Sequence, residues 1–87
     1  RQWVHNKEEV TLEDAQERLG RQLPAKVLLY RHLEKDGFTL ISIKELRIEF
    51  HESSTDYVTE VQDSAGQATQ VARWPTLVEA VEHYNQL

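Results

Sequence analysis

Apolar and polar residues change period several times along the chain, and the changes mark out its elements. From residue 46 the alternation is strict: Leu46, Ile48 and Phe50 fall on one side, Arg47, Glu49 and His51 on the other, as in a strand with one buried face. Residues 26–32 are rich in Val and Leu and predict the first strong strand, entered through a turn at Pro24. Glu34-Lys35-Asp36-Gly37 reads as a turn and residues 38–43 as the next strand, with Lys44-Glu45 either a tight connection or a continuation. A polar turn over 52–56, a strand over 57–61, a hairpin turn at Asp63-Ser64-Ala65-Gly66 and a more exposed strand over 67–74 follow.

Two helices bracket these strands. Thr11 offers a hydroxyl cap with Asp14 three residues on, and Leu12, Ala15 and Leu19 then share one helical face. Gly20 suits a left-handed helix end. Thr76 caps the second helix with Glu79 three residues later, and Leu77, Ala80, Val81 and Tyr84 form its apolar stripe. The expected fold is α+β: a central antiparallel β-sheet of four or five strands flanked by two α-helices, which cover both of its faces. At 87 residues the chain is expected to form a single domain over 1–87, and its start at Arg1 points to a piece excised from a longer protein.

Composition narrows the function. A formal net charge of −5 argues against general nucleic-acid binding, which needs a basic face to displace counterions. No apolar stretch approaches the roughly 20 residues of a membrane span, and no signal-peptide pattern opens the chain. Neither nucleic acid nor membrane is therefore an expected partner. The absence of cysteine removes disulfides and thiolate metal sites and fits a reducing, cytoplasmic setting. His5, His32, His51 and His83 lack metal-ligand spacing, so no metal or other cofactor is expected. His5 and His83 are assigned structural hydrogen bonds, and Trp3 and Trp74 are assigned packing roles. With no cysteine nucleophile, no recognisable Ser–His–Asp context and no glycine-rich phosphate loop, the chain is not expected to be an enzyme.

Arg31 stands apart. It closes the mostly apolar run Leu28-Leu29-Tyr30-Arg31, and a cation there must either reach water or hold an anion. Upstream lie Trp3-Val4-His5 and Glu13-Asp14-Ala15-Gln16-Glu17-Arg18-Leu19. Downstream lie Asp36-Gly37-Phe38-Thr39-Leu40 and the closing run from Trp74 through Thr76-Leu77 to His83-Tyr84. In that order, over about half the chain, these segments resemble an SH2 domain, the module that reads phosphotyrosine.

The resemblance implies an SH2-like fold that binds tyrosine-phosphorylated proteins or peptides. It makes Arg31 the phosphate anchor, since a planar guanidinium can donate two parallel hydrogen bonds to a phosphate. His32, Leu33, Glu34 and Lys35 would supply a small anion-binding nest of backbone N–H groups. Lys35 would close over the phosphate or pack along the ring, Arg47 would flank the ring, and Thr39 would line the pocket wall. His32 follows Arg31 directly, so its side chain is expected on the opposite face of the strand. The implied location is cytoplasmic, or the host cytosol if the parent is a bacterial effector.

The chain also departs from the family. Leu12 stands where many members carry a second phosphate-binding arginine, residues 32–35 contain no hydroxyl, and Glu45 stands where a histidine is expected. The sequence stops soon after Tyr84, where the family continues into a loop enclosing residues that follow the phosphotyrosine. Limited selectivity for flanking residues is the corresponding expectation. Two bland readings stay open beside these: an SH2-like scaffold or interaction domain that has lost phosphotyrosine binding, and an Arg47 that serves as an exposed cross-strand ion pair with a glutamate.

Overall fold

Four strands pair in chain order as an antiparallel meander, with one helix before them and one after. The computed structural model describes residues 9–19 and 26–87, in the order α1 (Leu12–Leu19), β1 (Lys26–Asp36), β2 (Thr39–Phe50), β3 (Thr55–Asp63), β4 (Ala68–Trp74) and α2 (Leu77–Gln86). The expectations for Trp3, His5, Gly20 and Pro24 lie outside the described residues. The α+β class, the antiparallel sheet and the two helices are as anticipated. Lys44-Glu45 does not break the chain; β2 runs through it for 12 residues.

The caps form as their residue types dictate. The Thr11 hydroxyl accepts the Asp14 N–H at 3.1 Å, and the Thr76 hydroxyl accepts the Glu79 N–H at 3.3 Å while donating to the Glu79 carboxylate at 2.8 Å. Gly37 and Gly66 adopt φ values of 62° and 83° at the β1–β2 and β3–β4 turns, a region costly for any residue with a Cβ. Asp63 closes the β3–β4 turn by accepting the Ala65 and Gln67 N–H groups on its carboxylate.

The helices do not cover both faces of the sheet. Ala15 of α1 and Leu77, Ala80, Val81 and Tyr84 of α2 share one core with Val10, Leu29, Leu46 and Ile48. The two helical segments are also tied to each other, because the Asn85 side chain accepts the Val10 N–H and donates to the Val10 carbonyl, both at 3.0 Å. The reason is the size of the stripe. Four apolar residues on α2 and a short α1 offer enough apolar surface for one shared layer, and both helices bury it on the same side.

That choice assigns every strand residue to a face, because side chains alternate with period two. Leu46 and Ile48 point to the helices, as do their β3 partners Thr59 and Tyr57. On this side a polar contact docks α2 onto the sheet: Trp74 Nε1 donates to Thr59 Oγ1 at 3.0 Å, and Thr59 Oγ1 lies 2.7 Å from His83 Nδ1. All three groups are satisfied when the Thr59 hydroxyl donates a hydrogen bond to an unprotonated Nδ1, which puts the His83 ring proton on Nε2. Both assigned roles are thus found: His83 makes a structural hydrogen bond and Trp74 packs against the core.

In β1 the register shifts between Leu28 and Tyr30, so Leu29 is an extra residue in the ladder. Leu29 is buried, Tyr30 packs against the core with its ring 5.6 Å from that of Tyr84, and everything beyond is flipped by one position. Thr59→Val is expected to lower unfolding free energy by about 1–3 kcal/mol, since it strands the Trp74 N–H and the His83 ring. Phe38→Ala, at a fully exposed turn tip, should change it by less than about 0.5 kcal/mol. Urea unfolding of the two variants checks both values.

Candidate functional site

The bulge at Leu29 decides where Arg31 goes. Arg31 pairs with Glu45 in register, and both project from the face that carries no described helix. On this face β2 presents Ile43, Glu45, Arg47 and Glu49; β3 presents Asp56, Val58, Glu60 and Gln62; β4 presents Val71 and Arg73. Glu-x-Arg-x-Glu at alternate positions of β2 thus places one guanidinium between two carboxylates of its own strand. The neighbouring strand then adds a third.

A continuous ion-pair chain results. Arg31 Nε lies 3.2 Å from Glu45 Oε1, and Glu45 Oε2 lies 3.5 Å from Arg47 Nη1. Arg47 donates through Nη1 to Glu60 Oε1 at 2.8 Å and through Nε to Glu49 Oε2 at 3.0 Å. Glu49 Oε1 accepts from Arg73 Nη1 at 2.8 Å, and Arg73 reaches Asp56 at 3.5 Å, which in turn lies 3.3 Å from His51 Nε2. Gln62 donates to the second oxygen of Glu60. Arg47 and Glu60 are only 8% and 9% exposed, so they are internal charges that depend on one another. Arg31 stands at the open end of this chain with its side chain 45% exposed.

The electrostatics follow from these contacts. Burial disfavours the Arg47 charge, but the hydrogen bonds to Glu60 and Glu49 outweigh it and raise the pKa above its ordinary value. The hydrogen bond from Arg73, helped by that from Arg47, holds Glu49 at about 2 despite partial burial. Arg73 is raised in turn by its hydrogen bond to Glu49.

The seven residues assigned to phosphotyrosine fall in three places. Arg31, Arg47 and Leu33 share the open face. His32 and Glu34 point the other way, toward the helices, as alternation required for His32. Lys35 and Thr39 are exposed close to the turn at Gly37, with Lys35 roughly 13 Å along the strand from Arg31. Residues 32–35 are not a loop. They continue β1 and pair with residues 40–44, so successive N–H groups point to alternate sides and cannot converge on one anion. The turn comes only after Asp36, because glycine at 37 supplies the positive φ that Glu34 and Lys35 would adopt at a cost.

Sequence reasoning did not find Glu49, Glu60 and Arg73 as partners of this face, although the alternation in residues 45–49 was a usable signal. Among the described residues no cluster of three or more His, Cys, Asp or Glu could hold a metal ion, and no helix is long and apolar enough to cross a membrane. Compared with family models, curated proteins and solved structures, the chain matches none of them.

Glu49 gives the face a pH signature. Its folded pKa, about 2, lies below the ordinary 4.5, so its contribution to stability is fully present above about 4.5. That contribution is lost as the pH falls from there towards 2. Glu49→Gln should flatten the stability-versus-pH curve across that window, measured by chemical unfolding at a series of pH values, and leave the slope at neutral pH unchanged. Arg47→Met, which leaves three carboxylates around an uncharged side chain, should cost about 3–5 kcal/mol at neutral pH and less in acid.

Proposed function

We propose that this chain is a non-catalytic, SH2-like module that binds tyrosine-phosphorylated proteins or peptides through the open face of its sheet, with Arg31 as the phosphate anchor. One observation carries the reading. Arg31 presents a half-exposed guanidinium on β1, an edge strand of the described sheet, and the group already facing it is a carboxylate, Glu45. A carboxylate is the anion a protein can supply in place of a phosphate. Glu45 orients the guanidinium when no ligand is bound and is the contact a phosphate dianion would displace. Arg47, on the same face beyond Glu45, adds positive potential without itself being freed.

The face also sets the terms of binding. Its three arginines, Arg31, Arg47 and Arg73, stand among four carboxylates, Glu45, Glu49, Asp56 and Glu60. An incoming dianion meets repulsion from these carboxylates, which direct contact with the guanidinium of Arg31, the positive potential of Arg47 and burial of the tyrosine ring must offset. The module is therefore weak and leans on one residue. The same observation favours a second reading: a scaffold or interaction domain in which Arg31 serves only to close the ion-pair chain.

Titration of a phosphotyrosine peptide, with phosphoserine and unphosphorylated controls, separates the two. If Arg31 anchors phosphate, Arg31→Ala weakens binding at least tenfold, about 1.4 kcal/mol. Glu45→Gln then tightens it, because the competing carboxylate and its charge are gone. If neither the unaltered chain nor Glu45→Gln binds the phosphotyrosine peptide at high micromolar concentration, the scaffold reading holds.

A further inference from the structure

The helix-covered side of the sheet is not fully covered. Where α2 ends, a cleft of about 380 Å³ opens over one row of residues that crosses all four strands: His32 of β1, Lys44 of β2, Val61 of β3 and Gln70 of β4, each in register with the next. Gln86 and Leu87 at the end of α2 form its other wall. The volume lies near the lower end for small-molecule sites and suits a ligand about the size of one residue.

The row has a chemical direction. At one end His32 and Lys44 stand directly opposite each other across β1 and β2, a cross-strand pairing that sets their Cβ atoms about 5 Å apart. The Lys44 ammonium is held at the cleft by a main-chain oxygen of Leu87, the last residue of the sequence, at 3.4 Å and by the Tyr84 ring, whose centroid is 4.3 Å away. His32 Nε2 is buried and has no hydrogen-bond partner among the described residues, a state that costs free energy until something fills it. In the middle the walls are apolar, from Val61 and Leu87, and at the far end Gln70 offers an amide. Glu34 lies one step closer to the turn and is engaged by the Ser42 hydroxyl at 3.0 Å, so that corner repels a second carboxylate and sets the ligand's orientation.

We propose that this cleft binds a carboxylate attached to a small apolar group: the carboxylate between Lys44 and His32, the apolar group on Val61 and Leu87. Two sources share this chemistry, the C-terminal residue of a peptide and a free branched-chain carboxylic acid. The site lies on the opposite side of the sheet from Arg31 and is independent of the phosphate reading.

The test is amide-resolved NMR of the 87-residue chain titrated with N-acetyl-leucine, with isovalerate, and with N-acetyl-leucinamide, which lacks the carboxylate. Saturable shifts are expected at His32, Ser42, Lys44, Val61 and Gln70, with the amide at least about tenfold weaker than the acid. Tighter binding of N-acetyl-leucine than of isovalerate identifies a peptide C-terminus; equal binding identifies the free acid. Lys44→Gln and His32→Phe should each weaken the acid about tenfold while leaving binding of any phosphotyrosine peptide unchanged. Absence of saturable shifts with either acid up to about 20 mM, or equal affinity for acid and amide, overturns the proposal without use of any variant.

Discussion

Burial of the α2 stripe against Leu46, Ile48 and Leu29 is the constraint from which the rest follows. Leu77, Ala80, Val81 and Tyr84 have one place to go, and once they lie on the even-numbered side of β2 the odd-numbered side must look elsewhere for partners. With both helices on the first side, no described helix remains for the second. The odd face therefore satisfies itself. Arg47 is as buried as a core residue, and it is kept charged by three glutamates whose own charges it makes tolerable.

This arrangement links stability to binding through shared groups. Glu45 touches both Arg31 and Arg47, so an anion that draws Arg31 away changes the environment of the whole chain of ion pairs. Such coupling is modest at the exposed end, where water screens the charges, and stronger at Arg47 and Glu60. Val58, in register between Arg47 and Arg73, is fully buried on this face. The odd face thus covers a small apolar patch with its charges, and Arg31 and Arg73 are its two accessible ends.

Most of the local structure was legible. The α2 stripe, its Thr76 cap, the hairpin turn at residues 63–66 and the alternation from Leu46 each express a short-range rule whose terms lie within a few residues of one another. Legibility failed where two strands share the decision. Residues 34–37 carry turn-forming types, but pairing with β2 extends β1 to Asp36, and the hairpin's hydrogen bonds outweigh a local preference. The cleft had no signal at all, since its floor takes one residue from each of four strands.

By itself the sequence determined the element types, their order, the apolar stripe of α2 and the presence of an arginine at the end of an apolar run. These depend on period, propensity and capping, all of them local. Only the tertiary structure decided which way Arg31 points and what it meets. A single extra residue at Leu29 shifts the side-chain period of two by one step, sends Arg31 away from the helices and sets it opposite Glu45. That pairing joins residues 14 positions apart, a relation no local pattern encodes.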